Sequence, residues 1–402
     1  MKEILEKAWE QGQGIFRLAP AWVPRAFCRP GKRIKLHPQD YYSLGLERGG
    51  IDERWFASTT PADNGPGTPP DEGLSYILAD ESGRERILLR DAVAEGKGRL
   101  IGQALWDRFG GWPMFAKFFD NAGPLPHHVH HREEHAALVG QHGKPEMYFF
   151  PAQVNNHPGE FPLTFFGFNP ETDRSDALRA LRAFTAGDNA ILDLSRAYRL
   201  ALDTGWDVPP GVLHAPGSLC TYEPQFASDV YAMYQSVLIN GQCVPESLLW
   251  KDTPADRQGN FDYLLDVLDW DLNVDSDFRR HRFMAPRPAG DPAAMLDGGY
   301  LEEWICYKCP EAGAKRLTIQ PGRSAVIRDA AAYGFILLQG HGRCGPWSIE
   351  TPTLIRYGQD TYDEFFVTEA AAQAGIRFEN RSATEPLVLL KHFARHPDLP
   401  LS

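Results

Sequence analysis

The sequence has 402 residues, 43% of them hydrophobic and 23% charged, which is the composition of an ordinary soluble globular protein with room for two or three domains. Its formal net charge of −12 disfavours nucleic acid as a partner, because phosphate backbones bind cationic surfaces. No stretch reaches the roughly 20 apolar residues that a membrane span requires, and the six cysteines are scattered, as is typical of free thiols in a reducing compartment. We therefore predict a cytoplasmic protein that binds neither nucleic acid nor a membrane.

The chain begins with an amphipathic pattern over residues 1–12, which predicts a helix. Beyond it, 37 glycines and 32 prolines divide most of the sequence into short apolar runs rich in aromatic and β-branched residues. Runs of this kind between turn signals predict the strands of an all-β sandwich or barrel.

Helical patterns are confined to a few places. Residues 171–202 predict two helices, the first capped by Ser175 and the second covering 189–202. A third helix is expected over 260–270. The stretch 283–299 is rich in Pro, Gly and Ala, which predicts a linker or a surface loop.

Six of the 13 histidines lie within residues 123–150. His128 and His130 form an H-x-H pair, and on a strand these two side chains share one face, so both imidazoles can converge on one ion. His127 and His131 would then point away from that ion.

The run that follows this histidine segment is expected to return as the second strand of a hairpin. On it Lys144, Glu146 and Tyr148 would share a face. A buried carboxylate needs a partner, and a divalent cation supplies one. Further along, His214 follows a Pro-Pro-Gly turn and can complete a site begun on another strand. The predicted metal ligands are His128, His130, Glu146 and His214.

A second choice of carboxylate stays open at this point. Three residues separate His130 from Glu134, so Glu134 is the other candidate for a carboxylate ligand beside the H-x-H pair. We favour Glu146, because its strand context is clearer than that of the polar turn around Glu134. Nitrogen and oxygen ligands without a thiolate suit Zn, Mn, Fe, Co or Ni.

Several of these segments resemble the type I phosphomannose isomerases, a branch of the cupin superfamily. The resemblance is carried by "WPMFAKFFDNAGPLPHHVHHREEH" and "GKPEMYFF", with support from "DERWFAS", "FFGFNPETDRSDAL" and "ASDV". It implies a mainly β fold of two cupin (jelly-roll β-barrel) domains with a small helical insertion in the first. Residues 1–245 would form the metal-binding cupin, with the insertion at about 171–202. Residues 246–402 would form a linker and a cupin-like domain without a metal site. This second domain would support folding, form dimer contacts or contribute a wall of the cleft.

The resemblance also implies a function. It is that of a metal-dependent aldose–ketose isomerase, with zinc as the default metal, acting through an enediolate intermediate on a small-molecule sugar or sugar phosphate. A homodimer is compatible with it. The family's lysines near the metal correspond to Lys117 and Lys144, and its acidic residue nine positions after the last histidine ligand corresponds to Glu223. These three are the expected catalytic residues.

The sequence departs from the family at three positions. His128 stands where the family has a glutamine ligand, Pro126 where a serine touches the substrate phosphate, and Met233 where an arginine serves phosphate binding and catalysis. A thioether cannot replace a planar cationic fork. We therefore expect an unphosphorylated or differently substituted sugar. Two alternatives stay open, a non-catalytic sugar-binding or regulatory cupin and a metal-dependent cupin oxygenase.

Overall fold

The structure is a computed structural model of the chain and describes residues 1–156 and 161–394. In the first part of the chain the strands are β1 (Ile15–Arg17), β2 (Ala21–Arg25), β3 (Gly50–Phe56), β4 (Tyr76–Leu78), β5 (Arg86–Leu88), β6 (Met114–Phe119), β7 (His128–Val129), β8 (Glu146–Phe149), β9 (Leu163–Phe168), β10 (Ser195–Arg199), β11 (Gly205–Val208), β12 (His214–Ala215), β13 (Thr221–Phe226) and β14 (Ala232–Met233). Later strands are β15 (Phe283–Met284), β16 (Arg287–Pro288), β17 (Tyr300–Cys306), β18 (Gly313–Ile319), β19 (Ser324–Ile327), β20 (Tyr333–Gln339), β21 (His341–Cys344), β22 (Trp347–Glu350), β23 (Glu364–Val367), β24 (Ile376–Asn380) and β25 (Leu387–Phe393).

The helices are short and lie between strands. They are α1 (Lys2–Gly12), α2 (Leu89–Gly96), α3 (Gly98–Ile101), α4 (Gln103–Phe109), α5 (Glu133–Ala136), α6 (Arg174–Arg182), α7 (Ile191–Leu194), α8 (Glu246–Leu249), α9 (Phe261–Val267), α10 (Trp270–Asn273), α11 (Phe278–Arg282), α12 (Pro292–Asp297) and α13 (Glu369–Ala374). Within the described ranges no helix combines the length and apolar character needed to cross a membrane. The chain is mainly β, as the sequence predicted.

Antiparallel strand pairs build four large sheets and one small hairpin. A seven-stranded sheet of order β15-β11-β8-β13-β6-β3-β2 faces a five-stranded sheet of order β10-β9-β12-β7-β14, and all of their strands except β15 come from the first part of the chain. A second seven-stranded sheet, of order β1-β23-β20-β25-β18-β17-β16, accompanies a four-stranded sheet of order β19-β24-β21-β22, and all of their strands except β1 come from the second part. β4 and β5 form the hairpin.

Alternation along three neighbouring strands separates apolar from polar side chains. Successive residues of a strand point to opposite faces of its sheet. On β6, β8 and β13, one face packs into the largest hydrophobic cluster, through Met114, Ala116, Phe118, Met147, Phe149 and Tyr222. The opposite face carries the residues between them, and it therefore presents Lys117, Glu146 and Glu223 to the five-stranded sheet.

The largest hydrophobic cluster lies between the two seven-stranded sheets. It joins Tyr222 and Phe149 of the first sheet to Ile336, Phe366 and Leu390 of the second. Polar contacts also join the two sheets, since the Tyr222 hydroxyl lies 2.9 Å from Nδ1 of His392 and Nη2 of Arg54 on β3 lies 3.2 Å from Oε2 of Glu364 on β23. The first seven-stranded sheet is therefore supported from behind, and its front face is held in place for the polar residues.

The structure corrects two predictions about the segment 171–202. Helix α6 is capped by Asp173 rather than Ser175, because the Asp173 carboxylate accepts from the backbone N–H groups of Ser175 and Asp176 and forms a capping box. The expected second helix is limited to α7. The residues after it form β10, which pairs with β9, because tertiary pairing overrides a weak local helical preference.

Further along the chain, the structure confirms one predicted helix and corrects one predicted loop. The helix expected over 260–270 is found as α9, and the Asn260 side chain caps it by accepting from the backbone N–H groups of Asp262 and Tyr263. The stretch 283–299 was expected to be a linker or loop. It contains the short strands β15 and β16 and the helix α12, which Asp291 caps with Pro292 in its first turn.

The N-terminal strand β1 belongs to the seven-stranded sheet of the second part of the chain, where it pairs with β23. Phe16 is 1% exposed. We expect Phe16→Ala to lower the free energy of unfolding by about 3–5 kcal/mol, because it leaves a cavity in the core. Urea denaturation measures this. Leu46→Ala is the control, since Leu46 is 78% exposed, and a change within about 0.5 kcal/mol is expected there. Equal unfolding midpoints for the two variants would contradict the placement of β1.

Candidate metal centre

Three histidines meet in the space between the two sheets of the first part of the chain. His128 lies on β7 and pairs across the sheet with His214 on β12, and His130 follows two residues after His128. The ring centroids of His128 and His214 lie 4.2 Å apart, and that of His130 lies 5.0 Å from each. One ring nitrogen of each falls within 4.8 Å of the other two. The three side chains form a site suited to a divalent metal ion.

Each of these rings is oriented by a backbone carbonyl. Nδ1 of His128, His130 and His214 lies 2.8, 2.8 and 2.9 Å, respectively, from a carbonyl oxygen. The carbonyls belong to Pro126, Val230 and Val212. Because a carbonyl only accepts, Nδ1 carries the proton and the Nε2 lone pair is free. Burial lowers the pKa of His130 to about 4 and holds that of His128 well below its usual value, so both rings are neutral near pH 7.

Glu146 brings a carboxylate to the same point from the opposite sheet. Its Oε2 lies 3.2 Å from Nε2 of His130, and its Oε1 lies 3.1 Å from Nε2 of His214. Because the proton of each ring is on Nδ1, both contacts bring a carboxylate oxygen and an unprotonated Nε2 together, and two acceptors repel each other. Nε2 of His214 is buried without a hydrogen-bond partner among the described residues, and Oε2 of Glu146 has only the ammonium of Lys144, at 3.3 Å. A cation between them removes this conflict, so the residues present fit a metal ion.

Glu134, the other carboxylate that the spacing allowed, lies elsewhere. It is on the surface helix α5, its side chain is 58% exposed, and it pairs with Arg132 at 2.9 Å. His127 also points away from the centre, toward Gln235 and Ser195. The structure therefore brings Glu146, and not Glu134, to the three imidazoles.

The predicted hairpin of β7 and β8 is wrong. β7 pairs with β12 and β14 in the five-stranded sheet, whereas β8 pairs with β11 and β13 in the seven-stranded sheet. The two strands face each other across the interior. The expected convergence of His130 with Glu146 is nevertheless found, because it arises between sheets instead of within one.

The three expected catalytic residues stand beside the histidines. Nζ of Lys144 lies 3.2 Å from Nε2 of His130 and 3.3 Å from Oε2 of Glu146. Oε1 of Glu223 lies 3.3 Å from Nζ of Lys117 and 3.9 Å from Nζ of Lys144. Burial, with the neighbouring charge of Glu146, raises the pKa of Glu223 well above its usual value. A buried carboxyl with a raised pKa suits proton transfer near neutral pH.

Comparison with known proteins places this geometry in a structural class. No protein-family model matches the sequence, and none of the curated proteins matches it. Among solved structures, mannose 6-phosphate isomerase from Bacillus subtilis gives a TM-score of 0.62 at 14% identity, over 94% of this chain and 99% of that one. This chain has the mannose-6-phosphate isomerase fold. A zinc-bound mannose 6-phosphate isomerase agrees, with a TM-score of 0.59, 13% identity and coverage of 95% and 100%. So does a variant of phosphomannose isomerase from Salmonella typhimurium, with a TM-score of 0.60, 13% identity and the same coverage.

The resemblance read from the sequence is thereby confirmed for the mannose-6-phosphate isomerase fold. Because the identity is low, the roles of individual residues depend on this chain's own geometry. His128, His130 and Glu146 line one cleft of the first part of the chain.

Sequence reasoning missed three charged residues that line this cleft. Glu53 lies 3.6 Å from Nζ of Lys117 and accepts from the indole N–H of Trp55 at 2.6 Å. Arg25 pairs with Glu53 at 3.1 Å, and Asp229 approaches Arg25 at 3.8 Å. The segments "DERWFAS" and "ASDV" already marked Glu53 and Asp229 as parts of motifs, although neither residue was assigned a role. No local signal in the sequence tied Arg25 on β2 to the site.

Tyr148 supports Glu146 from the side, and its removal should weaken metal binding. Its hydroxyl donates to Oε1 of Glu146 at 2.5 Å. For Tyr148→Phe we expect about 10–100-fold lower metal affinity, as is usual when a hydrogen bond to a ligating group is lost. Competition against a chromophoric chelator measures this. Tyr222→Phe is the matched control, since Tyr222 is equally buried but faces the core behind the sheet. Equal affinities for the two variants would contradict the role of Tyr148.

Proposed function

We propose that this protein is a metal-dependent aldose–ketose isomerase. Its ligands for one divalent ion, zinc before Mn, Fe, Co or Ni, would be His128, His130, His214 and Glu146. One observation carries the proposal: the Glu146 carboxylate faces the Nε2 lone pairs of His130 and His214. A second buried carboxylate, Glu223, lies beside it. The shared fold with mannose-6-phosphate isomerases supports it. The names of those proteins state an isomerase activity, and for this chain the activity is our inference.

We also propose the finer organisation that the sequence suggested, two cupin domains of jelly-roll type. The first would comprise residues 1–245 with its helical insertion, and the second residues 246–402 without a metal site. Two pairs of antiparallel sheets support this division. The pairing of β1 with β23 would then bind the N-terminus onto the second domain.

The chemistry follows from what each side chain can do. A bound divalent ion would act as a Lewis acid on two adjacent sugar oxygens and stabilise the charge that develops when a proton leaves carbon. Glu223 would take the proton from the carbon next to the carbonyl and return it to the neighbouring carbon. Lys117 would hold the Glu223 carboxylate in position. Lys144, close to both glutamates, would hydrogen-bond the former carbonyl oxygen as it gains negative charge and relay to it the proton that leaves the neighbouring hydroxyl, so that the new carbonyl forms.

Two other functions are compatible with the same residues. A set of three imidazoles and one carboxylate also suits iron, so an oxygenase is one alternative. The other is a cupin that binds sugar without turning it over. As partner we propose a small-molecule sugar, and as location the cytoplasm, supported by six free cysteines. A homodimer stays a prediction.

Solvent exchange distinguishes these functions. The metal-loaded protein is incubated in D₂O with a panel of free and phosphorylated aldoses and ketoses, and NMR follows deuterium entering the carbon next to the carbonyl. Exchange together with interconversion is expected. Sugar binding without exchange would contradict the isomerase and favour the binding protein. Oxygen consumption by the iron-loaded protein would favour the oxygenase.

A further inference from the structure

The cations of the metal cleft are all held by carboxylates of the same cleft. Among the described residues that line it, apart from the histidines, these cations are Arg25, Lys117 and Lys144. Of the three, Arg25 makes the most hydrogen bonds. Its Nε lies 3.1 Å and its Nη2 3.3 Å from the two carboxylate oxygens of Glu53, and its Nη1 donates to Asn64 at 2.9 Å. A guanidinium bound on two sides has little left to offer a ligand.

Both lysines are shared between carboxylates as well. Lys117 lies between Glu53 at 3.6 Å and Glu223 at 3.3 Å. Lys144 lies between Glu146 at 3.3 Å and Glu223 at 3.9 Å. Their side chains are 8% and 3% exposed. Drawing either lysine toward a phosphate would leave a buried carboxylate without its partner, which is strongly unfavourable.

Two carboxylate oxygens of the cleft can still accept a hydrogen bond. Oδ2 of Asp229, 3.8 Å from Arg25, and Oε1 of Glu223, 3.3 Å from Lys117, form ion pairs but accept no hydrogen bond among the described residues. A sugar hydroxyl can donate a proton to such an oxygen, whereas a phosphate dianion has none to donate. A phosphate beside Asp229 would also set two like charges together in a desolvated cleft.

The rest of the lining offers no charge to a phosphate. Besides Tyr148, whose hydroxyl donates to Glu146, it consists of Phe27, Phe119, Leu125, Pro216, Tyr231 and Met233. Met233 lies directly across from His128 in the β7–β14 pair, so a thioether occupies the wall closest to the metal ligands. Aromatic and aliphatic walls with a few fixed polar groups are typical of sites for uncharged ligands.

We propose that the cleft takes an uncharged sugar, a polyhydroxy carbonyl compound without a phosphate group. This inference rests on the proposed isomerase for its reaction, but the choice of ligand concerns binding and can be tested without turnover. Asp229 would be a specificity-determining residue, accepting from a hydroxyl and repelling an anion.

The test combines binding and kinetics on the metal-loaded protein. Calorimetry compares a six-carbon sugar alcohol, glucitol, with its 6-phosphate, and the exchange assay compares free hexoses with their 6-phosphates. We expect the free compound to be preferred at least about 100-fold in both readouts. Tighter binding or faster exchange of the phosphate would overturn the inference and leave the isomerase standing. If no sugar exchanges deuterium with the solvent, the proposed isomerase activity is wrong. Calorimetry then still shows whether the cleft prefers the free or the phosphorylated compound.

Two variants sharpen the comparison. Met233→Arg adds a cation beside His128 and should raise the ratio of phosphate to free-sugar binding at least about tenfold. Asp229→Asn, which keeps the shape of the side chain, should move the ratio in the same direction if the arginine variant does not fold. The exposed Arg29 lines a neighbouring recess, and Arg29→Gln should leave the ratio unchanged. A ratio that falls in Arg29→Gln, or stays fixed in both other variants, would count against the inference.

Discussion

The double variant His128→Ala, His130→Ala is expected to purify without bound metal, whereas the parent protein carries one divalent ion per chain. Two of the three imidazoles are lost, and the Glu146 carboxylate then faces only His214. Four ligands in a closed arrangement give structural zinc sites their strength, and two rarely retain the ion. Elemental analysis after extensive dialysis gives the metal content directly.

The matched control is the double variant His142→Ala, His341→Ala, since both of these histidines are exposed. It removes the same number of imidazoles and should keep the metal. Thermal unfolding adds a second readout, because an ion that binds only the folded chain raises the midpoint. Added zinc should raise the midpoint of the control but not that of the site variant. Full metal content in the site variant would exclude the proposed centre.

The convergence of His128, His130 and Glu146 could be predicted because each stands at a position whose local structure is simple. His128 and His130 are two residues apart, and Glu146 shares a strand face with Tyr148. Such periodicity depends only on backbone geometry. The polar face of β13 follows in the same way from alternation with Tyr222, which reaches the core. These local patterns were enough to indicate which side chains face the interior.

Strand partners, by contrast, could not be predicted from local patterns. β7 and β8 are close in sequence but pair in different sheets, because register and partner depend on contacts far apart in the chain. The same cause hid Arg25, which reaches the cleft from β2. At β10 the local pattern itself was misleading. The sequence there predicts a helix, but the segment forms a strand that pairs with β9.

For Glu223→Gln we expect metal content to be retained and solvent exchange to fall by about 10²–10⁴-fold, the usual contribution of general acid–base catalysis. The amide keeps the size of the side chain but cannot accept a proton from carbon. Glu223 is 2% exposed, and it is the buried carboxylate next to Glu146 with Lys117 and Lys144 on either side. Glu134→Gln is the control, because Glu134 is exposed and should affect neither metal nor exchange. NMR exchange rates at saturating sugar, read beside metal content and glucitol binding, separate a lost proton acceptor from a damaged site. If Glu223→Gln exchanges at the parent rate, another group moves the proton. If it loses metal and glucitol binding together, Glu223 supports the site instead of acting on the substrate.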